Sequence, residues 1–137
     1  SSLEATLNLA EQEAADGLLP LARQSNVGVI IRSPLGSGLL TGKYHRQSPF
    51  AEGDRRGRTE RRAALRERRF TAMDELRRLA EEEGVSMVHA ALAWVLSHDA
   101  VSTVIPGAKN PAQVEENVAA GDVALSAALL AGAKAIR

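Results

Sequence analysis

The stretch VGVIIRSPLGSGLLTGKY, residues 27–44, carries the reading of the fold, together with VSTVIPGAKN at residues 101–110. Each is a β-branched apolar run that stops abruptly in a turn rich in Gly, Pro, Ser and Lys. A run without polar alternation reads as a parallel strand buried on both faces. Small residues and hydroxyls in the turn that follows let backbone N–H groups approach an anion closely. Two strands of one sheet ending in such turns point to a phosphate-bearing ligand at the sheet's carboxyl edge.

Outward from these runs, elements alternate along the chain. Residues 3–8 are a short strand candidate, and residues 13–24 read as a helix with Leu18, Leu21 and Ala22 on one face. Residues 27–31 form the first strand and residues 33–49 a long loop. Residues 54–69 hold eight Arg among three acids and few apolar residues, which reads as a solvated helix face or flap rather than a phosphate patch. Phe70, Met73, Leu76, Leu79 and Ala80 then fall at helical spacing, and Gly84 stops that helix. Ser86 caps a second helix whose stripe is Val88, Ala91, Leu92, Val95 and Leu96. After the strand at residues 101–105, Asn110-Pro111 opens a helix with Val114 and Val118 inward, and Ser126 caps a last helix running to Ile136. Strand and helix in strict alternation mean a parallel sheet with crossover helices, an α/β fold.

At 137 residues the chain has single-domain length, and 45% apolar with 25% charged residues is globular composition. Formal net charge is zero, and the Arg-rich stretch has no interleaved aromatics, so a nucleic-acid surface is not expected. No apolar run approaches the roughly 20 residues that span a bilayer. The absence of cysteine removes disulfides and thiolate chemistry and fits a reducing, cytoplasmic compartment. The opening SSLEA has neither Met nor a basic-then-apolar leader, so it reads as a point inside a longer gene product.

Four motifs in order resemble one known family, the aldo-keto reductases, which are NADPH-dependent enzymes on an eight-stranded (β/α) barrel of the TIM type. They are Leu18-Leu19-Pro20-Leu21-Ala22, then Ser33-Pro34-Leu35 with Gly38-Leu39-Leu40-Thr41-Gly42-Lys43, then Ala91-Leu92-Ala93-Trp94-Val95-Leu96, and Ile105-Pro106-Gly107-Ala108 with Glu116-Asn117. The resemblance spans nearly the whole chain and implies that residues 1–137 are the carboxyl-terminal part of a single barrel domain, about strands six to eight with their helices.

By that resemblance, Arg32, Ser33, Pro34, Leu35, Gly36, Ser37, Gly38, Leu40 and Lys43 are cofactor-binding: Ser33, Leu35 and Ser37 fall in the loop that wraps the pyrophosphate, where Lys43 adds a cation. Ile105 and Gly107 belong to the cofactor-binding set as well, while Ala108, Lys109 and Gln113 fall where the family holds the adenosine 2′-phosphate, and Glu116 and Asn117 where it binds adenine. Asn8 matches an Asn near the end of the family's sixth strand. The residues agree with this on their own terms, because Asn110-Pro111 opens a helix whose amino end attracts anions, beside Lys109. The implied cofactor is NADP(H) rather than NAD(H).

Three positions depart from the family pattern. Arg32 stands where many members stack an aromatic on the nicotinamide, and a cation there repels an oxidised ring. Glu4 replaces the Gln that usually binds the carboxamide, and Gln113 replaces an Arg of some members, which leaves Lys109 as the main 2′-phosphate partner. The family's catalytic Asp, Tyr, Lys and His lie on strands that are not in this sequence. Hydride transfer to a carbonyl needs a tuned proton donor. The one tyrosine, Tyr44, reads as a loop-packing residue, so no catalytic residue is expected here. His45, His89 and His98 are not spaced as metal ligands, His98 suits a helix carboxyl end, and Trp94 reads as core.

A barrel opened between strands exposes two edges, which invites self-association if the chain stands alone. The parent is expected to reduce small aldehydes or ketones to alcohols with NADP(H), and this chain to supply the dinucleotide site while being inactive alone. The alternative is a non-catalytic nucleotide-binding or regulatory half-barrel.

Overall fold

The apolar runs become three short strands, and the segments between them become helices on one side. A computed structural model describes residues 1–48 and 60–136. In chain order these are β1 (Ser2–Thr6), α1 (Glu13–Asp16), α2 (Leu18–Gln24), β2 (Gly28–Arg32), a 3₁₀ turn (Leu39–Thr41), α3 (Glu60–Glu83), α4 (Met87–Leu96), β3 (Val101–Ile105), α5 (Pro111–Ala119), a second 3₁₀ turn (Ala120–Asp122) and α6 (Ala127–Ala135).

The strands are parallel, in the order β1-β2-β3. Leu3 stands opposite Val29 and Ala5 opposite Ile31, which in turn faces Val104 across the other ladder. The two-residue period of a strand puts these side chains on one face. Helices cover that face, and Val29 and Ile31 are fully buried. Glu4, Ile30, Arg32, Thr103 and Ile105 lie on the opposite face, which is open: Ile105 is 54% exposed. The expectation of strands buried on both faces therefore holds for one face among the described residues. Three strands form an arc, and the open side is the one a closed barrel fills with layered side chains.

Residues 13–24 are not one helix. Gly17 adopts φ −112° and ψ −65°, separating α1 from α2. The offset turns Leu19 and Ala22 inward and leaves Leu21 60% exposed, which corrects the expected Leu18–Leu21 face. Helix α3 starts at Glu60, well before the first core residue Phe70. Among the described side chains of its Arg-rich first half, Arg68 pairs with Glu13 at 2.9 Å, Arg69 with Glu11 at 2.8 Å, and Glu67 with Arg46. Residues 54–59 of the same basic stretch lie outside the described residues. Gly84 at φ +73° ends α3, with Val85 N–H donating to the Ala80 carbonyl at 3.0 Å.

Caps fall where the side-chain chemistry puts them. The Ser86, Asn110 and Ser126 side chains each accept a hydrogen bond from a first-turn amide of α4, α5 and α6. Helix α4 is the centre of the core, with Val88 and residues 90–95 buried. Trp94 is 3% exposed, and its ring meets His98 edge-on at 4.7 Å. The His98 Nδ1 lies 3.0 Å from the Trp94 carbonyl, at the helix carboxyl end as expected. Helix α5 corrects the sequence reading, because Val114 is 50% and Val118 70% exposed. It packs on α4 through its other side, where the Glu116 carbonyl meets His89 Nε2 at 3.1 Å.

Gln12 ties the two ends of the chain together. It is 5% exposed, and its Nε2 lies 3.1, 2.9 and 2.6 Å from the carbonyls of Leu9, Ala133 and Ile136. Gln12→Leu keeps the volume but strands those carbonyls, so it is expected to cost about 2 kcal/mol of stability. A lowered urea midpoint at unchanged slope checks this. Among the described residues no single helix is long and apolar enough to cross a membrane.

Candidate functional site

Parallel strands deliver their following loops to one edge of the sheet. Arg32 and Ile105, the last residues of β2 and β3, stand opposite each other, so the loops after them begin side by side. The first loop is tightly coiled. Ser33, Gly36, Ser37, Gly38 and Gly42 all have positive φ, at 55°, 56°, 58°, 87° and 77°. Non-glycine residues in this region carry strain. Inside the coil, the N–H groups of Gly36 and Gly38 donate to the carbonyls of Ser33 and Leu35 at 3.1 and 3.0 Å, and Leu40 N–H also donates to Leu35. Those amides close the loop's own turns. Leu35, Leu39 and Leu40 anchor the coil in the core. Ser33, Ser37 and Lys43, with Thr41 and Tyr44, are then the loop's polar residues at the cavity wall.

The second loop leads into α5. Asn110 Oδ1 accepts from Gln113 N–H at 3.0 Å, while Gln113 Oε1 accepts from Lys109 N–H at 2.8 Å. This reciprocal pair fixes the turn and holds Lys109 at the amino end of a helix, where anions are favoured. Asn117 Nδ2 lies 3.5 Å from the Gly107 carbonyl, across the same turn.

Together the loops wall a cavity of about 510 Å³, in the ordinary range for a small-molecule site. Ser33, Pro34, Leu35, Ser37, Gly38 and Lys43 line one side of it. Ile105, Gly107, Ala108, Lys109, Gln113, Glu116 and Asn117 line the other. Ser37 and Lys109, read from strands over 70 residues apart in sequence, thus face one space. Two cations and one carboxylate border it: Lys43, Lys109 and Glu116.

Three residues of the sequence-based set sit elsewhere. Leu40 is fully buried in the core, because the 3₁₀ turn points it inward. Gly36 is buried behind the wall, where a Cβ would meet Leu40 and the Arg69 stem at 3.5 and 3.6 Å. Arg32 lies on the open sheet face, with Nε 3.4 Å from Glu4 Oε1. The register explains that pair, since Glu4 is opposite Ile30, one same-face position from Arg32. Two opposite charges on the open face therefore pair across the ladder.

Thr41, Tyr44 and Val88 also line the cavity, and none was singled out for it by sequence. Tyr44 packs against the core as expected of it and shows its other side to the cavity. Val88 comes from α4, and its approach depends on helix packing that no local pattern encodes. Among the described residues, no group of three or more His, Cys, Asp or Glu could hold a metal ion.

A strand–loop pair of this kind on a parallel α/β sheet has known counterparts. The sequence profile of the Aldo/keto reductase family matches residues 1–137. The chain is 39% identical over 110 residues to an L-glyceraldehyde 3-phosphate reductase of Escherichia coli (strain K12), covering 76% of this chain and 31% of that protein. It is 34% identical over 119 residues to a probable voltage-gated potassium channel subunit beta of Arabidopsis thaliana, covering 83% of this chain and 36% of that one. The solved structure of a glycerol dehydrogenase from Gluconobacter oxydans superposes with TM-score 0.83 at 31% identity, over 98% of this chain and 41% of that chain. The chain spans about a third of the length of these curated relatives. Its three-stranded sheet is an incomplete arc of their barrel, and the chain belongs to the aldo/keto reductase family.

Proposed function

We propose that this chain supplies the dinucleotide site of an NADP(H)-dependent oxidoreductase that interconverts small aldehydes or ketones and alcohols. Residues 1–137 are on this reading the carboxyl-terminal part of a single barrel domain, located in the cytoplasm. The observation that supports it is the single cavity shared by the loops after β2 and β3. The residues present fit a nicotinamide dinucleotide. Lys109, at the amino end of α5 beside Gln113, suits the 2′-phosphate, and Glu116 and Asn117 suit the adenine edge. Ser33, Ser37 and Lys43 suit the pyrophosphate, with hydroxyls and a cation rather than the amides already used within the loop. A reduced nicotinamide supplies hydride to a carbonyl carbon when bound. The residues of this chain bind and orient, and the proton donor is expected on the barrel strands that complete the domain.

Among the described residues β1 and β3 are the sheet's edges, and these are the places where those strands add, or where a second copy adds if the chain stands alone. A non-catalytic regulatory role is the second reading, favoured by the relative named as a channel subunit beta. Carbonyl-dependent oxidation of NADPH by the full-length product separates the two.

Titration of NADPH fluorescence tests the cofactor assignment. A charge-assisted contact is worth roughly 1.5–3 kcal/mol, so Lys109→Ala is expected to weaken NADPH by about tenfold or more. NADH, which lacks the 2′-phosphate, is expected to bind both forms alike. Equal NADPH affinity in wild type and Lys109→Ala removes the assignment.

A further inference from the structure

Behind the coiled loop lies a polar network that the dinucleotide reading does not use. Asn8 is fully buried and Glu11 sits two residues beyond the buried Leu9, in a turn closed by reciprocal backbone hydrogen bonds. One oxygen of Glu11, Oε2, accepts from Asn8 Nδ2 at 2.9 Å and from Arg69 Nη2 and Nε at 2.8 and 3.2 Å. The Glu11 and Arg69 side chains are only 21% and 14% exposed, so this ion pair is weakly screened. Each partner of Glu11 then reaches the loop. Asn8 Nδ2 also donates to the Ser33 carbonyl at 3.1 Å, and Arg69 Nη1 lies 3.4 Å from Ser37 Oγ. Ser33 and Ser37 are the loop's two non-glycine residues at positive φ. A single carboxylate oxygen thus joins the two side chains that hold the two strained serines, from three separate segments of the chain.

We propose that Glu11 is a positioning residue, whose carboxylate fixes the Ser33–Ser37 coil, through Asn8 and Arg69, in the shape that receives a diphosphate. Strained residues persist only where their surroundings over-determine them. Without Glu11, Asn8 keeps the Ala10 N–H on its Oδ1 at 3.0 Å but its Nδ2 loses one of its two acceptors, and Arg69 becomes a mostly buried cation without this counter-charge. With Glu11 in place both are fixed, and Arg69 is neutralised, so it orients the loop rather than binding the anion itself. The inference rests on the dinucleotide reading above and names the residue that pre-shapes its diphosphate end.

The test uses two probes on the full-length product: NADPH, and adenosine 2′,5′-bisphosphate, which lacks the diphosphate bridge. Loss of the contacts that hold the strained loop predicts that Glu11→Ala weakens NADPH by about tenfold. The bisphosphate, held at the α5 end, is expected to change less than about twofold by the same arithmetic. Glu11→Gln keeps an acceptor for Asn8 without the charge, so it is expected to fall between wild type and Glu11→Ala. It also keeps the test open if the alanine variant folds poorly. In a double-mutant cycle, Arg69→Met is expected to add little once Glu11 is gone, because both break one link. Unchanged NADPH affinity in both Glu11 variants overturns the inference, as does an equal loss for both probes, which marks general destabilisation. A wild-type protein that binds neither probe overturns the dinucleotide reading itself, and this inference with it.

Discussion

Phe70→Ala is expected to lower the unfolding free energy by about 3–5 kcal/mol, the cost of emptying a large aromatic site in a packed core. Phe70 is fully buried on α3, within the same core cluster as Leu39, Leu40 and Leu92. Its helix packs against the 3₁₀ turn Leu39–Thr41, so the cavity lies directly behind the loop that walls the candidate site. The guanidinium groups of Arg46 and Arg66 sit 5.8 and 5.3 Å from the ring centroid and lose that contact as well. Small relaxations cannot refill such a space, because the neighbours are held by their own backbone. The control is Val118→Ala. Sequence periodicity alone places Val118 inward, yet it is 70% exposed, so its loss is expected to change stability by less than about 0.5 kcal/mol. Urea midpoints of the two variants decide the matter. A Phe70→Ala midpoint close to that of Val118→Ala contradicts the packing described above.

The contrast between those residues shows what a single sequence encodes. Ser86, Asn110 and Ser126 were legible as caps because a cap is local chemistry, settled within four residues. Strands β2 and β3 were legible for a similar reason, since β-branched runs between turns have few alternatives, whereas β1, SLEAT, ends at Thr6 short of the expected residue 8. Helix α3 began earlier than its apolar spacing indicated, since its Arg-rich first half is held by Glu11 and Glu13, more than 50 residues away. Val114 and Val118 form a sound helical stripe, but which side of α5 meets α4 is a question of packing. The candidate site divides the same way. Its loops announced themselves by residue type, through the Gly, Ser, Pro and Lys that follow each strand. Val88 on the cavity wall, the Glu4–Arg32 pair and the Glu11 network depend on register and helix placement, so each involves residues that sequence alone treats separately. Glu4 and Arg32 are the plainest case: they lie 28 residues apart in sequence, and the ladder makes them partners.

Gly42→Val is expected to destabilise the chain by about 3 kcal/mol and to impair dinucleotide binding. Gly42 has φ +77°, a region that a β-branched residue adopts only under strain. A Cβ there would also stand 2.8 Å from Met87 Sδ, at the start of α4. The methionine is flexible and can move aside, so that overlap is the smaller part of the cost. The dihedral cannot be relieved without unwinding the turn, in which the Gly38 carbonyl accepts from Thr41 Oγ1 at 2.7 Å. Unwinding shifts Lys43, the next residue and one of the two cations at the cavity wall. Gly42→Ala separates the contributions. It meets the same dihedral without the branched side chain, and is expected to cost about 1 kcal/mol with a smaller loss of affinity. The expected order in both urea midpoint and NADPH affinity is therefore glycine, alanine, valine. If valine leaves both unchanged, the left-handed turn at Gly42 is not the conformation that shapes the loop.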